Sequence, residues 1–144
     1  MVDSAGFTGK TAVAILAMVA LMAGVSGAGV NNGSFETGDL TGWTAPSGNV
    51  AAVTSHGSYS PVDGTYFAVL AGGSTNTPYS LSQQFTASAG DILAFNYFWD
   101  SGDYVPYDDW GKGSILDTAG GPVATLFSVS IGTLGDYVDV PWTP

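Results

Sequence analysis

Cysteine and arginine are absent from this chain, and two lysines and one histidine are its whole basic inventory, against 12 carboxylates. Each shortage excludes something. Without cysteine there are no disulfides, no thiol nucleophile and no zinc–thiolate site, so stability must come from the core, from a hard metal ion or from assembly. Without arginine, and with a formal net charge of −10, the chain lacks the cations that phosphate recognition rests on. Nucleic acid is excluded as a partner, and an anionic lipid surface is disfavoured for the same reason. Catalytic groups are scarce as well. His56 is the single histidine, in an ordinary Ser-His-Gly-Ser turn, and no Gly-x-Ser-x-Gly elbow is present. No enzyme is expected. A glycosidase drawing two carboxylates from the acidic loop described below ranks third among the functions considered, because a general acid there would need burial.

The N-terminus reads apart from the rest. Lys10 precedes an uncharged run, Thr11–Gly24, and Ser26 and Ala28 follow at a Ser-x-Ala spacing. This is the layout of a secretory signal peptide over residues 1–28, cut after Ala28. An uncleaved anchor is the alternative, for which the run is short. Cleavage leaves Gly29–Pro144, 116 residues carrying 11 of the 12 acids and only Lys112 for countercharge. One domain fits that length. Secretion, with no membrane insertion after cleavage, is expected.

Within residues 29–144 no stretch holds a 3.6-residue period. Short apolar or alternating runs stand between turn clusters instead: Asn49–Thr54, Tyr66–Ala71, Tyr79–Thr86 and Ile92–Trp99. Gly113–Asp117 and Val123–Val129 flank Gly120-Gly121 and read as a hairpin. The class expected is all-β, an antiparallel sandwich or barrel. Ser130–Pro144 reads as irregular, and its Pro-Trp-Thr-Pro end matches neither strand nor cap.

The stretch Ile92–Trp110 organises the rest. In its first half Leu93, Phe95, Tyr97 and Trp99 face one way and Ile92, Ala94 and Phe98 the other, which is the pattern of a strand inside a sheet. Its second half gathers Asp100, Asp103, Asp108 and Asp109 with Tyr104, Tyr107 and Trp110. Aromatic faces beside hydroxyl-binding acids are what sugar recognition needs, and loops are where binding groups gather. Tyr104, Tyr107, Trp110, Asp103 and Asp108 are the candidate ligand-binding residues. The plainer alternative has Trp110 folding back over the core and the four carboxylates merely solvated. Trp43 and Trp99 are assigned to the core, as is Phe35.

Asn31–Trp43, NNGSFETGDLTGW, resembles the opening of bacterial secreted proteins with a galactose-binding-like jelly-roll domain, an entry shared by several carbohydrate-binding modules. Val62–Gly73 and Tyr79–Gly111 are similar to exoproteins of the kind that carry a PEP-type C-terminal sorting signal. The resemblance spans Val30 to Trp142. It implies an antiparallel β-sandwich (jelly roll), here lacking its last strands and the sorting tail. It also implies a structural Ca²⁺ near the opening, with Glu36 as the carboxylate, Asn32 and Asp39 as helpers and Asp63 as a further ligand. Such oxygens suit a hard cation, though no EF-hand spacing accompanies them and these acids could equally sit in solvated turns. The function expected is a secreted, non-catalytic carbohydrate-binding sandwich whose partner is a polysaccharide or other glycan. The alternative is a structural or adhesive protein of the cell surface or matrix that self-associates and binds no defined sugar.

Overall fold

The computed structural model describes residues 2–6, 13–17, 29–45, 49–72 and 79–144. These residues are mostly strand, with a single four-residue helical turn, so the class is all-β. In chain order the strands are β1 Val2–Gly6, β2 Val13–Ala17, β3 Val50–Val53, β4 Phe67–Ala71, β5 Tyr79–Leu81, β6 Asn96–Asp100, β7 Trp110–Leu116, β8 Pro122–Ser130 and β9 Val140–Thr143. The helical turn α1 is Ile131–Leu134. Two antiparallel sheets result, one ordered β5-β1-β7-β8 and the other β3-β4-β2-β6-β9.

The alternation of β4 and β6 explains how the core is shared. Ala68 and Leu70 of β4 pack with Phe35, Val50 and, from the four-stranded sheet, Tyr79 and Leu81. Tyr97 and Trp99 of β6 meet β8: Tyr97 stacks on Phe127 at 4.2 Å, and Trp99 packs on Val129. The intervening residues Phe67, Val69 and Phe98 form a second cluster on the opposite face, covered by Tyr59 and Trp142. Both faces of β4 and of the middle of β6 are therefore buried, which is why Phe67–Ala71 and Tyr97–Trp99 are runs of apolar and aromatic residues. Phe35, Phe67, Phe98 and Trp99 are all essentially inaccessible. Each contributes about 1.5–3 kcal/mol by its burial.

The hairpin around Gly120-Gly121 forms as β7–β8, its turn closed by Asp117, whose Oδ1 accepts from the Ala119 and Gly121 amides. The expected central strand is shorter than Ile92–Trp99. It starts at Asn96, and Ile92 is 73% exposed. Ladder formation needs a partner, and the described part of β2 ends with Ala17 opposite Asn96. Phe95 nonetheless keeps its place against Phe127, at 6.0 Å. Tyr79–Thr86 is likewise cut short. β5 stops at Leu81, a single bridge joins Ser82 to Thr44, and the Gln83 side chain turns inward to bond Asn31 and Gly42 backbone.

The tail departs most from expectation. Ser130 caps α1 in a reciprocal arrangement with Thr133. Pro141-Trp142 then lies within β9, on the sheet's edge, where a strand proline loses no ladder bond it needs. Trp142 reaches Phe98 at 4.7 Å and donates its indole N–H to Ser60 O.

Two strands fall inside the stretch read as a signal peptide. β1 pairs with β5 and β7, and β2 sits between β4 and β6. The expected cleavage point after Ala28 has Ala28 itself outside the described residues, as do Gly73 of the Gly-Gly turn after β4 and most of Thr11–Gly24. Among the described residues no helix is long and apolar enough to cross a membrane.

Candidate functional site

The acidic loop leaves β6 at Asp100 and returns as β7 at Trp110. Most of its carboxylates have structural work. It lies against α1 and the segment after it, and the two are laced together by backbone N–H donors and carboxylate or carbonyl acceptors. Asp139 Oδ1 accepts from Ser101 N at 2.8 Å, Asp136 Oδ1 from Val105 N at 2.8 Å, and Asp108 Oδ1 from Gly132 N at 2.6 Å. The Asp103 and Asp109 carbonyls take the amides of Tyr137 and Ile131, both at 3.0 Å. Bonds to ionised acceptors are the stronger kind, so a loop without regular structure is held firmly.

What this lacing presents to solvent is aromatic. Tyr104 and Tyr107 meet edge-on with ring centroids 5.4 Å apart, and Tyr137 lies 5.7 Å from Tyr104 on its other side. The three are 43%, 39% and 61% exposed, flanked by exposed Val105 and Val138. Tyr137 is held at φ 56°, a left-handed conformation that a bulky residue adopts only when its surroundings impose it. The bond from its amide to Asp103 O supplies that constraint. Surrounding protein, then Tyr104 and the Asp103 and Asp136 carboxylates, hold the Tyr137 hydroxyl above its usual pKa, so it stays a neutral donor.

The residues expected to bind ligand divide accordingly. Tyr104 and Tyr107 are together and exposed. Asp103 is 3% exposed and bonds the Tyr104 amide, Asp108 is exposed but serves Gly132, and Trp110 is half-buried in β7 opposite Ser130. The third ring of the cluster is Tyr137, which sequence reasoning passed over. A signal existed: Asp136-Tyr137-Val138 repeats the Asp103-Tyr104-Val105 tripeptide.

Where β6 gives way to the loop, His56 Nε2 lies 3.5 Å from Asp100 Oδ2. Burial, then Asp139, raises the Asp100 pKa, and His56 opposes the shift. A separate cleft of about 610 Å³ runs between Gln83–Phe85 and the β7–β8 turn. Two of its polar side chains are already committed, Gln83 to loop backbone and Asp117 to its own turn.

At the opening motif, Asn32 Nδ2 donates to the carbonyls of Asp39 and Thr41, and Asn32 Oδ1 accepts from Thr37 N. Asp39 Oδ1 accepts from Thr37 Oγ1 and Thr41 N, and Glu36 Oε1 accepts from the amides of Thr65 and Tyr66. As arranged, these oxygens are engaged by the chain's own N–H and O–H donors. Asp63 is exposed in the neighbouring turn, and among the described residues no three His, Asp or Glu side chains come together to hold a metal.

Those same bonds have a pH consequence. The Tyr66 and Thr65 amides hold the Glu36 carboxyl below its ordinary value, and Thr41 and Thr37 do so for Asp39. A lowered folded-state pKa gives stability that is present above the unfolded-state pKa and is lost as pH falls through the folded value. Thermal melts from neutral to acid pH should therefore show a midpoint falling below the ordinary carboxylate range. Glu36→Ala should lower the neutral-pH midpoint and flatten that acid decline. An unchanged slope would remove Glu36 as its source. Asp100, with its raised pKa, works oppositely, costing stability as pH rises through it.

Comparison with family models, with curated proteins and with solved structures gave no match. The functional reading therefore rests on the residues.

Proposed function

We propose that this is a secreted, non-catalytic carbohydrate-binding domain, an antiparallel β-sandwich of jelly-roll type whose contact surface is the Tyr104–Tyr107–Tyr137 cluster. The observation that carries it is that cluster: Tyr104 touches both Tyr107 and Tyr137, all three rings face solvent, and the loop and the neighbouring segment that carry them are pinned together by five hydrogen bonds. Preorganised aromatics offer their faces to sugar C–H groups at little entropic cost. The exposed carboxylates Asp108 and Asp136 at the rim supply acceptors for hydroxyls. The ligand class is a neutral polysaccharide or glycan, since a chain of charge −10 repels an anionic one.

Retention of the protein on a panel of insoluble and immobilised polysaccharides tests this. Tyr104→Ala and Tyr137→Ala should each weaken binding by roughly tenfold, about 1.4 kcal/mol. Trp110→Phe should leave binding unchanged. A folded protein retained by none of the glycans, or tyrosine variants that bind as well as the parent, would sink the reading.

The structural or adhesive alternative has one observation of its own. β8 is an edge strand with Val123 and Leu126 exposed, a surface suited to strand-to-strand association. Under that reading the protein self-associates, most readily when salt screens its charge.

A further inference from the structure

The five-stranded sheet has an unusual middle. β4 and β6 carry much of its core, with Phe67, Ala68, Val69, Leu70, Phe98 and Trp99 all at 5% exposure or less, yet they do not pair with each other. Each pairs antiparallel with β2. Ala14 stands between Leu70 and Trp99, Ile15 between Val69 and Phe98, and Leu16 between Ala68 and Tyr97. β4 and β6 therefore run parallel to one another, two strand spacings apart, roughly 9–10 Å. That gap admits one strand. Its walls are the backbone N–H and C=O rows of two strands whose side chains are largely buried, so an empty gap would leave those groups without ladder partners beside the core.

β2 matches this slot. Its sequence, Val-Ala-Ile-Leu-Ala, is apolar throughout, as a strand between two dry layers must be. Val13 and Ile15 are β-branched, which suits them to a pleated backbone. The same five residues lie within the apolar run of the segment read as a secretory leader.

We infer that the slot between β4 and β6 is a strand-acceptor site whose occupant is the chain's own Val13–Ala17, so that the leader segment doubles as the strand completing the sheet. The inference is independent of the sugar reading. It has a consequence for maturation. Cutting the chain after Ala28 severs a covalent link but not the ladder, and the leader stays bound until the sheet is unfolded or the strand is replaced.

The full chain tests this, made without export and carrying a specific protease site between Ala28 and Gly29. After cutting, size-exclusion chromatography with mass spectrometry should find residues 1–28 co-eluting one-to-one with residues 29–144. The thermal midpoint should be nearly unchanged. Separation accompanied by loss of native tryptophan fluorescence would show that the fold needs the leader but would overturn its retention in the slot after cutting. Separation that leaves 29–144 folded and monomeric would overturn it. A folded dimer of 29–144 would assign the slot to a second copy and overturn the occupant named here.

Ile15→Pro in the uncut chain provides a second measurement, since proline removes a ladder donor in mid-strand. It should lower the midpoint by roughly 10 °C or more and release the protected amides of β4 and β6 to hydrogen exchange. An unchanged midpoint and unchanged protection would also overturn the inference.

Discussion

Trp99→Ala should lower stability by about 3–5 kcal/mol, the range for removing a large buried aromatic. In a chain of this length that is roughly 10–20 °C in the thermal midpoint. Trp99 is fully buried on β6 and packs on Val129 across the sheets, with Tyr97, Leu134 and Val140 around it. Those neighbours come from β6 itself, β8, the end of α1 and β9. They are anchored by their own ladders and caps, so the space left behind cannot collapse. Trp99 Nε1 meets no acceptor, so the ring contributes through its volume alone. Trp99→Phe, which keeps a ring and removes that N–H, should recover most of the loss. Urea or thermal melts of both variants check this. Exposed Tyr104→Ala serves as a reference expected to stay within about 0.5 kcal/mol. A Trp99→Ala shift no larger than the reference would mean the two sheets are not joined through this residue.

Gly113→Val should cost about 1–3 kcal/mol or more, by overpacking alone. Gly113 lies in β7 directly opposite Phe127 of β8. A Cβ added there would stand 2.5 Å from Phe127 Cε1 and 2.7 Å from Cδ1. The ring cannot readily retreat, because its far side is stacked on Tyr97 at 4.2 Å with planes 7° apart. Strand propensity alone predicts the opposite sign, since valine is favoured over glycine in strands. The substitution therefore separates the steric account from the intrinsic one. Phe127→Ala should itself be destabilising, yet Gly113→Val should cost much less in its presence than in the parent. That coupling identifies the ring as the obstacle. Additive losses in the double variant would place the strain elsewhere.

Both predictions depend on contacts between residues distant in the chain, and so does the division of labour in the acidic loop. Along the sequence Asp103, Asp108, Asp109, Tyr104, Tyr107 and Trp110 are alike in being polar or amphipathic groups on a loop. Folding sorts them. Asp103 and Asp109 are turned inward, Trp110 is taken up into β7, and the two tyrosines remain outside, where Tyr104 meets Tyr137 from beyond the β7–β8 hairpin. The tail was illegible for a related reason. Pro141-Trp142 carries no strand signal of its own, and becomes strand because Trp142 covers Phe98 and the edge position spares the proline.

Some of the molecule was determined by the sequence alone. Two-residue alternation, frequent turn residues and the lack of a helical period dictate strands, because a pleated backbone places successive side chains on opposite faces whatever lies beyond them. Gly120-Gly121 dictates the β7–β8 hairpin in the same local way, and the apolar run of β4 and the aromatic run Tyr97–Trp99 of β6 dictate their burial. Pairing partners, the ends of strands and the choice of which polar side chains face solvent were decided only by the tertiary structure. A ladder needs a second strand, and nothing local to Asn96 says that it will stand opposite Ala17 of β2. Likewise nothing local to Asp103 says that its carboxylate will be buried while its neighbour Tyr104 stays in solvent.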